Sequence, residues 1–235
     1  MLIEFTGPSA SGKTEFVRHL LKTWPETRSV RRSGSSTASP TGPKLWAAAL
    51  HSQQIPRAFW NAYKWHRNGF ALSSHPLRTS LRMAAEYCLL HGASKDSSLW
   101  LLDQGRLQLG SWLPQHVCRD PMPYAQALRE FVRFGDGVVL ISLHPEFSVK
   151  RMTQRGDGER AEMIAKQRGY KSALDYAAEV FNHQDPMKVR LAQSFGSTVL
   201  LNVINEHGHI KTQDIVGAAH EMEKLADAFR EWWCP

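Results

Sequence analysis

The sequence predicts an α/β fold built on a parallel sheet, and three observations predict it. Short runs of apolar and β-branched residues, "GVVLISL" at 137–143 above all, have the composition of strands covered on both faces. Segments of helical periodicity separate those runs, and strands alternating with helices give parallel pairing through crossover helices. The first strand-to-helix junction carries "GPSASGKT", residues 7–14, in which two glycines, a lysine and a hydroxyl stand at fixed spacing.

The elements follow in chain order. "MLIEFT" opens the chain as a strand. A helix is expected over 12–24, where Phe16, Val17, Leu20, Leu21 and Trp24 share one face, and Pro25 closes it. "TRSVRR" reads as a short second strand, and 33–43, rich in Ser, Gly and Pro, as a loop that a ligand would order. Three helices are expected at 44–53, 56–67 and 77–91, divided by Pro56, Gly69 and Pro76. "SLWLLD" at 98–103 is a third strand, followed by helices at 106–117 and 123–134. After the strand at 137–143, a helix runs from Glu146 to Arg155 and breaks at "GDG", 156–158. Helices fill most of 159–194, a last strand covers 197–204, and an amphipathic helix closes the chain over 212–232. No internal repeat is present.

Bulk properties narrow the class. A chain of 235 residues, 42% hydrophobic and 22% charged, suits one domain over 1–235 with a full core. No run reaches the ~18–20 apolar residues of a membrane span, and no basic and apolar leader is visible. Cys88, Cys118 and Cys234 are odd in number and far apart, which fits reduced thiols and a cytoplasmic location, that of a host if the chain is phage-encoded. The 11 histidines show no metal-ligand spacing. Charge is uneven: residues 22–106 hold 12 Lys and Arg against 4 Asp and Glu, while the rest holds 17 against 18. The whole excess of +7 therefore sits in one stretch, as a solvated basic face or as a surface for a polyanion.

Residues 7–14 match the phosphate-binding pattern G-x-x-x-x-G-K-[ST] at Gly7, Gly12, Lys13 and Thr14. Gly7 permits a sharp turn, and Gly12 a close backbone approach. The amides of Ser9, Ala10, Ser11 and Gly12 then face phosphate oxygens together with the helix N-terminus. Lys13 supplies charge to the β- and γ-phosphates, and Thr14 a hydroxyl to Mg²⁺. Strand before and helix after are the context that this pattern requires. The expected cofactors are ATP and Mg²⁺. Asp103 ends a strand in "WLLDQGR", at the edge where ligands bind in open α/β sheets. It is a candidate Mg²⁺ ligand or general base, or simply a turn-capping Asp before Gly105. Arg151, Arg155 and Arg160 follow the 137–143 strand, with Arg151 and Arg155 four apart on one helix face. A mobile arginine-bearing cover would meet charge developing on a transferred phosphoryl group, whereas a solvated basic helix end is the bland alternative.

"GPSASGKT", "LLDQG" and "LHPEFSVKRMTQRGDGER", in this order and spacing, resemble the nucleoside- and nucleotide-kinase branch of P-loop proteins, thymidylate kinases in particular. The resemblance implies a three-layer sandwich with a five-stranded parallel sheet, a helical lid over about 144–170 and an acceptor region over about 28–97. It gives Lys13, Asp103, Arg151 and Arg155 catalytic roles, adds Arg151 and Arg155 to the nucleotide contacts, and makes Thr14 and Asp103 the metal ligands. Two departures bear on the acceptor. Where thymidylate kinases carry Arg-Glu-Pro-Gly, this chain reads "SVRRSGSST", leaving Arg31 or Arg32 as substitutes. Their Asp-Arg pair is Asp103-Gln104 here, with Arg106 further on.

The acceptor region is also the basic one, and it interleaves aromatics with cations: Trp46, Phe59, Trp60, Tyr63 and Trp65 beside Arg57, Lys64 and Arg67. Bases stack on such rings while cations track phosphates, although rings three apart also make a core stripe. Arg31, Arg32, Trp60, Arg78, Arg82, Gln104 and Arg106 are the candidate acceptor contacts, and Asn202 to Asn205 a candidate border for adenine. The favoured expectation is a Mg·ATP-dependent kinase acting on a hydroxyl of a base or sugar in DNA, a DNA-modifying reaction of the kind some phages use on hydroxymethylated pyrimidines. The alternatives are a kinase of free nucleosides or nucleotides, a kinase of sugar or antibiotic hydroxyls, and an ATP-binding, nucleic-acid-binding module without an acceptor. The expected partners are a nucleotide-like acceptor and DNA, with no membrane and a homodimer as a candidate assembly.

Overall fold

In a computed structural model the described residues are 1–23, 30–33, 55–68, 75–93, 99–102, 107, 115–205 and 212–233. Five strands, β1 (Leu2–Thr6), β2 (Val30–Ser33), β3 (Leu99–Leu102), β4 (Gly137–Leu143) and β5 (Thr198–Asn205), form one sheet. Their order is β2-β3-β1-β4-β5 and every pairing is parallel. The expected parallel five-stranded sheet is therefore present. Every residue of β1 and β4 is buried, as strands covered on both faces require.

Helices cover both faces. Against one face lie α1 (Lys13–Thr23) and the C-terminal helix, α10 (Thr212–Trp233). Phe16, Val17 and Leu20 of α1 and Ile215, Ala218 and Met222 of α10 pack with Ile3, Phe5, Val139 and Ile141. The period of four along α1 and of two along β1 and β4 meet in this core. Phe5 and Phe16 centre it, their rings 5.8 Å apart.

The opposite face is covered by α2 (Ile55–Arg67), α3 (Pro76–Ala93), α4 (Gln115–Arg119), α5 (Ala125–Arg129) and α9 (Asp185–Ser194). Ala58, Ala62 and Trp65 of α2 join Met83 and Ala84 of α3, and with them Leu128, Phe131, Phe134, Val138 and Leu191. Helices α6 (Pro145–Gln154), α7 (Gly158–Gln167) and α8 (Ala173–Glu179) lie between β4 and α9, and a π-helical turn, Val180–Gln184, joins α8 to α9. α6 and α7 span the segment expected as a lid, and Gly156, at φ +78°, makes the turn between them.

Several boundaries differ from expectation. The helix expected over 123–134 is a 3₁₀ turn at Met122–Tyr124 followed by α5, which stops at Arg129. Phe131, Val132 and Phe134 are all buried, and the chain beyond them presses against β1. A Cβ at Gly135 would stand 2.7 Å from the Gly137 carbonyl oxygen and 2.9 Å from the Glu4 nitrogen, so a regular helix could not run on into this approach. Of the helix expected over 106–117, the described residues are Leu107, which lies in a turn, and 115–117, which belong to α4. The helix expected at 44–53, with Trp46, and residues 34–43 of the expected loop lie outside the described residues, while Ser33, the first residue of that loop, ends β2.

Candidate nucleotide-binding site

The motif at residues 7–14 lies between β1 and α1, at the C-terminal edge of the sheet. Its backbone explains its residues. Gly7 and Gly12 have φ of +142° and +97°. A Cβ on Gly7 would meet the Ile141 carbonyl oxygen at 2.1 Å, so the loop closes against β4 only because that side chain is missing. Ala10 also has a positive φ, 65°, and is the one non-glycine residue to do so among the described residues. A left-handed L-residue costs about 1–2 kcal/mol, and such strain gathers at functional loops.

Every carbonyl from Gly7 to Ser11 accepts a hydrogen bond from a side chain. The Lys13 ammonium donates to Gly7 O (3.0 Å), Pro8 O (2.6 Å) and the Ser11 hydroxyl (3.3 Å). Ser148 Oγ donates to Ser9 O (3.3 Å), Arg151 Nη1 to Ala10 O (2.7 Å) and Asn205 Nδ2 to Ser11 O (3.1 Å). Ser11 N–H reaches back to Pro8 O at 3.3 Å, and Gly12 O starts the helix by accepting from Phe16 N–H at 2.9 Å. A trans peptide sets its N–H opposite its C=O. Donors bound to the carbonyl side therefore leave the remaining amides, Ser11 N–H excepted, on the side that an anion can approach. Lys13 is buried and Thr14 is exposed in the first turn of α1, an accessible hydroxyl beside the loop. Glycines without which the loop could not close, a buried ammonium bonded to its carbonyls and a hydroxyl next to it are the residues that a triphosphate with Mg²⁺ would use. Among the described residues no group of three or more His, Cys, Asp or Glu could hold a metal ion by itself.

The other expected site residues are placed as follows. Arg151 lies on α6, bonded to the loop at residues 7–14 itself. Arg155 caps the same helix, exposed and bonded through its side chain to no described residue. Trp60 is 52% exposed on α2, with its ring 6.0 Å from Tyr63 and the Lys64 ammonium 5.5 Å from its centroid. Phe59 and Tyr63 stack at 6.1 Å. Trp65, by contrast, is core: it meets Phe131 at 5.6 Å and Tyr124 edge-on at 5.8 Å. Arg78 lines a groove of about 460 Å³ with Ile55, Pro56, Phe59, Leu77 and Leu81, whereas Arg82 pairs with Glu86 at 2.9 Å on the surface of α3. Arg31 and Arg32 stand in β2, in register with Trp100 and Leu101 of β3. Asp103, Gln104 and Arg106 lie outside the described residues, and Asp103 directly follows β3, which ends at Leu102 beside β1.

Three features escape a reading of the sequence. Ser148 carries no motif, and its hydroxyl reaches the loop across 139 residues of chain. Glu4, in the middle of β1 and fully buried, accepts from the N–H groups of Leu107 and Gly135, so one carboxylate ties the stretches after β3 and before β4 to the central strand. Asp185 and Lys188 form a buried ion pair at 2.6 Å, and Ser142 of β4 donates to the other Asp185 oxygen at 2.7 Å. That network bonds the first turn of α9 to the strand against which the phosphate loop closes. On α2, His66 is buried with neither ring nitrogen bonded to a described residue, and burial pushes its pKa below the usual 6.5.

No family model matches the chain, and no curated protein matches it in sequence. Among solved structures, a deoxyadenosine kinase from M. mycoides, with the products dCMP and dCDP bound, is similar to it over 97% of this chain and 100% of that one, at 11% identity and a TM-score of 0.48.

Proposed function

We propose that the protein is a Mg·ATP-dependent phosphotransferase whose acceptor is nucleotide-like, with a hydroxyl of a base or sugar in DNA as the favoured acceptor. The observation that carries this reading is the loop at residues 7–14, with three positive-φ residues, five bonded carbonyls and Lys13 bonded to two of them. ATP with Mg²⁺ supplies the transferable phosphoryl group when bound. The chain's own residues then divide the work. Loop amides and Lys13 would hold the phosphate tail and Thr14 the metal, with Asp103 as a second metal ligand where the acceptor is already an anion. Arg155, on the flank of the Gly156 turn, is the cation that closure would bring in. For a hydroxyl acceptor, the new bond joins the acceptor oxygen to the γ-phosphorus as the bridging bond to ADP breaks, and Asp103 takes the hydroxyl proton.

Trp60 supports a base-bearing acceptor. A half-exposed indole with an ammonium beside it is a platform on which a base stacks while the cation meets a phosphate, worth ~1–3 kcal/mol per base. The +8 charge of residues 22–106 supports a polymer. The second reading is a free nucleoside or nucleotide as acceptor.

The test is transfer from γ-labelled ATP to free nucleosides, free nucleotides, plain DNA and base-modified DNA. Label on DNA, with binding that weakens steeply in salt, supports the polymer reading. Label on free nucleosides or nucleotides, insensitive to salt, supports the second. Hydrolysis with label on no acceptor contradicts the phosphotransferase reading. Asp103→Asn should abolish most turnover on a hydroxyl acceptor, and a loss of only a few-fold with metal affinity intact removes its role as base.

A further inference from the structure

We infer that Ser148, Arg151 and Asn205 are positioning residues for the phosphate loop, gripping its carbonyl side so that the amide side is set before nucleotide arrives. This rests on the reading of residues 7–14 as a triphosphate site. The three donors come from outside the motif, two from α6 and one from the last residue of β5, and they take three consecutive carbonyls: Ser9 O, Ala10 O and Ser11 O. Three consecutive bonded carbonyls fix three consecutive peptide planes. Each plane carries the next residue's N–H on its opposite edge: that of Ser11 turns back to Pro8 O, and the amides of Ala10 and Gly12 are oriented toward the open side by side chains that need never touch the ligand.

The middle bond has the heaviest duty. Ala10 is held at φ +65° without the freedom of a glycine, and its carbonyl takes the one charge-assisted and shortest bond of the three, at 2.7 Å from Arg151. Asn205 shows the same commitment from another side. It is 4% exposed, its Nδ2 is spent on Ser11 O, and its Oδ1 has no partner among the described residues. The Ser11 carbonyl dictates which end of the amide faces it, because the reversed amide would set two acceptors together. The side chain thus meets the loop's need and leaves its own second group unmet. The grip also joins the loop to α6, whose far end turns at Gly156 into α7.

Ser148→Ala and Asn205→Leu test this together, since neither residue belongs to the motif and the two lie on different elements. The readouts are Mg·ATP affinity by calorimetry, KM for ATP against kcat where an acceptor is in hand, and melting temperature. Each variant should lose about threefold to tenfold in Mg·ATP affinity, the size of one backbone-directed hydrogen bond. The change should fall on KM for ATP rather than on kcat, and Ser148→Thr, which keeps the hydroxyl, should restore it. Asn205→Leu should melt close to the parent, because it sheds an unmet buried acceptor together with the bond. Parental Mg·ATP affinity in both variants, with or without a lower melting temperature, overturns the inference and makes these contacts purely structural. Failure of the parent itself to bind Mg·ATP sinks the reading of the loop instead, so the two failures are told apart in one experiment.

Discussion

Gly7→Ala is the substitution whose consequence can be worked furthest from the coordinates. The added methyl would lie 2.1 Å from the Ile141 carbonyl oxygen, 3.0 Å from its carbon and 3.1 Å from Ser11 Oγ. Ordinary contact begins near 3.5 Å, so the loop and β4 must part by about 1 Å or more. Neither yields easily, since β4 is central in the sheet and the loop is bonded at five carbonyls. The φ of +142° adds backbone strain of about 1–3 kcal/mol for any residue with a side chain. At roughly 2–4 °C per kcal/mol for a chain of this size, melting should fall by roughly 2–12 °C. Loss of a single hydrogen bond to a charged phosphate is worth about 1.5–3 kcal/mol, so Mg·ATP affinity should fall about 10- to 100-fold. The control is Gly196→Ala, at φ +84° with nothing within 4 Å of the added methyl, in the turn before β5. It carries backbone strain alone and should lower melting while leaving Mg·ATP affinity unchanged. Scanning calorimetry and nucleotide titration on the three proteins decide the matter. Parental affinity and melting in Gly7→Ala would refute the reasoning.

Further outcomes follow from other parts of the molecule. Lys188→Met leaves the Asp185 carboxylate buried without its cation and should cost about 3–5 kcal/mol in chemical denaturation, much of it recovered in the double variant with Asp185→Leu. Stability should fall as pH drops below 6.5. Burial disfavours the His66 imidazolium, so the unfolded chain takes the proton first, and the decline levels off once His66 protonates in the folded state. His66→Met should flatten that part of the urea-midpoint profile between pH 8 and 5, and an unchanged slope would assign it to other groups. Trp60→Ala should weaken an acceptor that stacks on it by about 5- to 150-fold while leaving Mg·ATP affinity alone, read by acceptor KM or DNA binding.

Much of this architecture is legible in the chain because it rests on local or periodic signals. Runs such as 137–143 have few options other than central strands, and the loop pattern at 7–14 is written in consecutive residues. What was not legible depends on distant partners. Asn205 and Ser11 are 194 residues apart, and nothing near either announces the bond. Glu4 sits in an apolar run whose pattern gives no reason to expect a buried carboxylate, and its partners are backbone amides, which have no residue identity to read. The helix expected through 134 failed for a related reason: Phe131, Val132 and Phe134 fit a helical stripe, but tertiary packing buries all three in an irregular segment that closes on β1. Among the aromatics of α2, spacing could not separate Trp65 in the core from Trp60 at the surface, and only the packed helix does so.

The central claim is that residues 7–14 grasp the phosphate tail of Mg·ATP, and equilibrium titration of the purified protein and of Lys13→Ala with Mg·ATP tests it most directly. Saturable one-site binding by the parent, weakened about tenfold or more in a Lys13→Ala protein of parental circular dichroism, is the expected result. A parent that retains no Mg·ATP, or a Lys13→Ala variant that binds it equally well, would contradict it.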